Sequence, residues 1–133
     1  MVKVSVEDLE YLAPGVPPHS TATGLLGRGP ALVLVTDGPR TARALLPGHE
    51  VRADVPEVQV ADTIGAGDAF GGAFLAWWLA SGLTRSDLHR PGPFGEVLHG
   101  GALVASLTCS RVGAEPPWLA EVGGWPGRPS GPA

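Results

Sequence analysis

Asp62–Asp68, D-T-I-G-A-G-D, and the run A-F-G-G-A-F-L-A-W-W-L-A at 69–80 decide how this chain reads. A turn bracketed by Gly65 and Gly67 leads into an apolar helix. The first backbone N–H groups of a helix have no intrahelical acceptor and carry partial positive charge. Glycine lets such a backbone approach a ligand closely. Together these make an anion site, best suited to phosphate. Asp68, beside it, is placed to accept a proton from an attacking hydroxyl.

Working outward, Pro56–Val60 reads as a short strand, with Val58 and Val60 in phase, delivering the chain to Asp62. Strand, glycine turn and helix is the context a phosphate cradle needs. The helix at 69–80 is apolar around its whole circumference, which predicts burial on all sides. Trp77 and Trp78 lie about 100° apart on it, so they serve different faces. Downstream, Ser81-Gly82 ends the helix, and Thr84 with Asp87 caps a short helical turn to His89. Phe94–Ser110 reads as a second helix, in which Gly100-Gly101 allows close approach of a neighbour. Upstream, Ala31–Thr36 is a continuous apolar run, as expected of a buried strand in a parallel sheet. Thr41–Leu46 and His49–Arg52, separated by Pro47-Gly48, predict a hairpin. Val2–Val4 ends a strand. Ser5 and Asp8 then form a capping box for a helix over S-V-E-D-L-E-Y-L, and residues 18–28 predict a weak helix.

The chain has 133 residues, 44% hydrophobic and 17% charged, which suits one globular domain. Net charge is −4 and pI about 5.4, so neither nucleic acid nor an acidic membrane is an expected partner. One cysteine, Cys109, excludes an internal disulfide and points to a reducing, cytoplasmic setting without a leader peptide. The helix at 69–80 is shorter than the roughly 20 residues a bilayer requires. His19, His49, His89 and His99 have no metal-ligand spacing, and there is no Walker A lysine motif.

The central stretch resembles the second signature of the ribokinase-like (PfkB) family of carbohydrate and nucleoside kinases, D-T-x-G-A-G-D-x-F. Asp62, Thr63, Gly65, Ala66, Gly67, Asp68 and Phe70 match it, seven identities over nine positions. The late segment A-S-L-T-C-S-R-V-G-A-E-P-P is similar to the family's A-x-L-T-x-x-R-x-G-A-x-P. The resemblance implies an α/β chain with a partial ribokinase-like fold: a mostly parallel sheet flanked by helices, lacking the N-terminal half and lid. Residues 1–113 would be the C-terminal nucleotide-binding part of the kinase domain, and 114–133 a Pro/Gly-rich tail.

It also implies roles. Asp68 is the general base, and Gly65, Ala66 and Gly67 with the Asp68 N–H form the anion hole. Asp68 also reads as a helix N-cap carboxylate, worth roughly 1 kcal/mol, and both roles can hold at once. Asp62 through its side chain and Ile64 through its carbonyl hold a monovalent cation, K⁺, with Gly113 nearby. Thr36 and Gly38 touch the nucleotide, matching the start of a T-x-G-x-x-G turn whose last glycine is here Thr41. Arg40 and Arg43 are candidate phosphate partners. Asp8, with Ser5 in the first position, matches the acid that organises magnesium through water. Ala102 falls where relatives often carry Asn or His near the adenine, so its contact there would be backbone or apolar at most.

The implied activity is ATP-dependent phosphorylation of a sugar hydroxyl, with ATP, Mg²⁺ and K⁺ as cofactors and a small sugar as acceptor. K-V-S-x-E-D-L is nearer fructokinase or 2-keto-3-deoxygluconate kinase relatives. The resemblance leaves room for a homodimer in a full-length parent. The alternative is a non-catalytic nucleotide-binding or interaction module that has lost the sugar half.

Overall fold

The structure is a computed structural model and describes residues 1–123. Four strands form one sheet in sequence order: β1 (Val2–Ser5), β2 (Val33–Asp37), β3 (Thr41–Leu46) and β4 (His49–Asp54). Between β1 and β2 run α1 (Val6–Leu12) and α2 (Pro18–Leu26). After β4 come α3 (Ala66–Ala80), a 3-10 turn (Arg85–His89) and α4 (Phe94–Cys109).

The class is α/β, as expected, but the sheet is mixed rather than mostly parallel. β1 and β2 pair parallel, with Val2 opposite Val33 and Ser5 opposite Thr36. β3 and β4 are antiparallel to their neighbours. The reason is local: the tight connections 38–40 and 47–48 are too short for a crossover, and short connections force antiparallel neighbours. The strand expected at Pro56–Val60 does not form. Pro56 has no N–H for a ladder, and residues 55–61 run as irregular chain.

Alternation along the strands builds two cores. Val4, Val33, Val35 and Leu45 face α1 and α2, where they meet Leu9 and Ala22. Leu34, Ala42, Ala44 and Leu46 face the other way, towards Phe70, Phe74, Trp77, Phe94, Val97 and Leu98 of α3 and α4. α1 begins with the anticipated capping box: the Ser5 N–H donates to the Asp8 carboxylate at 2.8 Å, and the Asp8 N–H donates to Ser5 Oγ at 3.0 Å.

α3 and α4 meet through glycine. A Cβ at Gly100 would lie 2.9 Å from the Trp77 ring, and one at Gly101 would lie 3.1 Å from the Phe70 ring. The two tryptophans separate as their angle requires. Trp77 is buried against Gly100. Trp78 packs edge-on to Phe74 and Phe94 and donates its indole N–H to the Leu83 carbonyl at 2.6 Å. Burial of α3 on all sides is not observed: Leu75 is 46% and Leu79 75% exposed. They share a strip with Asp68 and Gly72 that no described element covers. No helix among the described residues is long and apolar enough to cross a membrane.

Candidate nucleotide and phosphate site

The loop before α3 is held at both ends. The Ala61 and Asp62 N–H groups donate to the Cys109 carbonyl, at 2.8 and 3.2 Å. Asp62 Oδ1 accepts the Ile64 N–H and Oδ2 the Gly113 N–H, each at 3.0 Å. Those N–H donors, Ile64 first and then Gly113, hold the Asp62 carboxyl below its ordinary pKa. An ionised Asp62 thus ties the loop to the segment after α4. Burial, and secondarily the Asp62 charge, pushes the Cys109 thiol up, which makes it a poor nucleophile.

Gly65 occupies the N-cap of α3 at φ +78°, left-handed, and a Cβ there would meet the Ala114 Cβ at 2.6 Å. Glycine is therefore required at this position both by conformation and by space. The capping role considered for Asp68 is not what the structure shows. The cap position belongs to Gly65, and no side chain bonds the helix start. Asp68 stands in the first turn, exposed, with no hydrogen-bond or ion partner among the described residues. The Ala66 N–H bonds the Thr63 carbonyl at 3.3 Å. The next two amides, of Gly67 and Asp68, have no acceptor among the described residues.

Beside these amides lies a groove of about 420 Å³. Its walls come from the β2–β3 turn, the irregular segment after β4, the start of α3 and one face of α4. Thr36, Gly38, Ala66, Gly67 and Ala102, all singled out from sequence, line it together. Gly38 is left-handed, at φ +51°, which shapes the turn after β2. Thr41 also lines the groove, and its β-carbon is accommodated. The hydroxyl is anchored to β4 by donation to the Ala53 carbonyl at 3.2 Å.

Two features, one on the groove wall and one beside the start of α3, were not anticipated. Ser106 is buried, and its hydroxyl has no hydrogen-bond partner among the described residues, although the residue lines the groove. A buried hydroxyl left unpaired costs about 1–3 kcal/mol, and Ser106 carries that cost at the wall of the groove. Lys3 is the second: its Nζ sits 2.5 Å from where a Gly67 Cβ would be. The alternation of V-K-V-S was the available signal, since Val2 and Val4 face α1 and α2 and turn Lys3 the other way.

Other candidates fall outside the groove. Arg40 pairs with the Asp37 carboxylate at the end of β2 and keeps that carboxyl below its usual range. Arg43 lies in register with Val35, on the α1/α2 side of the sheet, and does not line the groove. Asp8 is engaged with Ser5, whose backbone N–H lowers its pKa. Asp62, Ile64, Gly65 and Asp68 border the cradle rather than line the groove. Among the described residues, no three His, Cys, Asp or Glu side chains gather to hold a metal ion.

The pfkB family carbohydrate kinase model matches residues 18–121. The chain belongs to the pfkB family. No curated protein sequence matches it. Among solved structures, the ribokinase of Thermotoga maritima superposes with a TM-score of 0.75 at 23% identity, over 91% of this chain and 40% of that one. A fructokinase from Xylella fastidiosa with bound ATP gives 0.72 at 29% identity, over 85% and 37%. A protein described as a ribokinase II from E. coli, in complex with ATP and Mg²⁺, gives 0.73 at 26%, over 92% and 37%. This pfkB chain therefore spans well under half the length of those relatives and has a partial ribokinase-like fold.

Proposed function

We propose that this chain is the ATP-binding and phosphoryl-transfer portion of a carbohydrate kinase, fructokinase-like or 2-keto-3-deoxygluconate kinase-like in its acceptor. One observation carries the reading. The groove is lined by Thr36 and Gly38, the residues that match the nucleotide turn, and by Gly67, whose amide, like that of the next residue Asp68, has no acceptor among the described residues. In this reading ATP lies in the groove with its adenine toward α4. The terminal phosphate rests at Gly65–Asp68, where amide dipoles stabilise the charge that develops during transfer. Asp68, uncommitted to any cap, takes the proton of the sugar hydroxyl. Mg²⁺ would be held mainly by phosphates and water, with Asp8 in its outer sphere. K⁺ would lie against Asp62 and the Ile64 carbonyl and add positive charge below the cradle.

A second reading is favoured by the 40% coverage of the ribokinase relative: a nucleotide-binding module that transfers nothing. Calorimetry with Mg-ATP, followed by assay of sugar phosphorylation with Asp68→Asn in parallel, separates the two. Binding by both forms, with transfer lost in the variant by about 10³-fold or more, supports the kinase. Binding without transfer by either form supports the module. Full transfer by Asp68→Asn would exclude Asp68 as the base.

A further inference from the structure

The chain after α4 forms neither helix nor strand over residues 111–121, yet it touches the cradle. Ala114 Cβ stands 2.6 Å, and its Cα 3.0 Å, from where a Gly65 Cβ would be. One residue earlier, the Gly113 N–H is bound to Asp62. With no ladder to fix it, the shape of this segment depends on its side chains. Its start is fixed to α4, where the Arg111 N–H donates to the Thr108 carbonyl at 3.3 Å. Its end is fixed by Val122, which packs against the larger core. Glu121 joins the two ends. Its Oε1 accepts from Arg111 Nη2 at 2.7 Å and its Oε2 from the Trp118 N–H at 2.6 Å. Its own N–H donates to the Trp118 carbonyl at 2.9 Å. Glu115 acts on the same guanidinium through charge alone.

Resting on the nucleotide reading above, we infer that Arg111 and Glu121 are positioning residues: their ion pair holds Ala114 against Gly65 and so fixes the amides that receive the terminal phosphate. Both side chains are partly exposed, so the pair adds little to global stability. Its effect is local. Breaking it frees the backbone between Val112 and Ala120, and Ala114 with it, while α4 and the Val122 contact keep the fold. Neither side chain lines the groove, so neither touches a nucleotide base lying there. The pair therefore acts on phosphate binding and leaves base binding alone.

The test is an NMR titration of the 133-residue chain with Mg-ATP and with adenosine, for wild type, Arg111→Ala, Glu121→Ala and the double variant. Each single change is expected to lower Mg-ATP affinity about fivefold or more, with adenosine affinity changed less than about twofold. The double variant should bind Mg-ATP no more weakly than the singles, because one interaction is lost in all three. Unchanged Mg-ATP affinity, equal losses for both ligands, or losses that add in the double variant would overturn the inference while leaving the nucleotide site intact. Failure of the wild type to bind either ligand would overturn both. Should the variants not fold, the wild type decides, since coupling between two sites is reciprocal. The Gly113 and Glu121 amides must then gain hydrogen-exchange protection with Mg-ATP and not with adenosine; no gain, or the same gain with both, overturns the inference.

Discussion

At the scale of single residues, the site is a set of polar groups left without partners. Asp68 caps nothing, the Gly67 and Asp68 amides have no acceptor, and the Ser106 hydroxyl is buried alone. Their roles differ in how far the sequence announced them. Seven identities around Asp62–Phe70 were legible, because a turn that presents amides to phosphate tolerates few residue types. Ser106 was not legible: one hydroxyl in a helix of small residues is ordinary until its surroundings are known. Lys3 was hidden for the same reason, because the start of α3 that it reaches lies some sixty residues downstream. Ser106→Ala should leave the unliganded thermal midpoint unchanged or slightly raised, because an unmade buried bond is removed. It should also weaken Mg-ATP binding about fivefold, the value of one hydrogen bond. Calorimetry beside a thermal melt checks both; a lower midpoint with unchanged affinity would show the hydroxyl to be structural.

At the scale of elements, the site depends on α3 being held by α4, and that depends on two glycines. Replacing Gly100 by Ala sets two effects against each other. Helix propensity favours the change by about 1 kcal/mol. The new methyl would stand 2.9 Å from the buried Trp77 ring, and overpacking of this kind costs about 1–3 kcal/mol. The ring is fused and packed, so the clash should win. Chemical denaturation is expected to show a net loss of up to about 2 kcal/mol, with Gly101→Ala milder at 3.1 Å from Phe70. The helices and the hairpin were readable from periodicity and punctuation. The strand at 56–60 was misread because β-branched alternation outweighed Pro56, and no neighbouring strand supplies its hydrogen bonds. Full burial of α3 was misread because apolar composition fixes what a helix can bury, not what is present to cover it. Leu75 and Leu79 remain open.

At the scale of the whole molecule, several carboxylates are ionised against N–H donors or arginines and so couple folding to pH. Asp87 is the strongest case. The Thr84 backbone N–H, then its hydroxyl and Arg90, bring its pKa from 3.8 down to about 2. Asp8, Asp37 and Asp62 are lowered as well. A depressed folded-state pKa contributes stability above the unfolded value and loses it as pH falls through the folded one. The thermal midpoint should therefore be flat near neutrality and fall as pH drops from 3.8 toward 2. Asp87→Asn should lower the neutral midpoint and reduce that acid loss; melts across pH would show it. The same fold brings the β2–β3 turn, the start of α3 and the face of α4 around one groove, and the nucleotide reading rests on that convergence. The most direct test is an amide NMR titration of this chain with Mg-ATP. Saturable shifts at Thr36, Gly38, Gly67, Asp68 and Ala102 are expected. A spectrum that does not move, or moves only at residues outside the groove and cradle, would contradict the account.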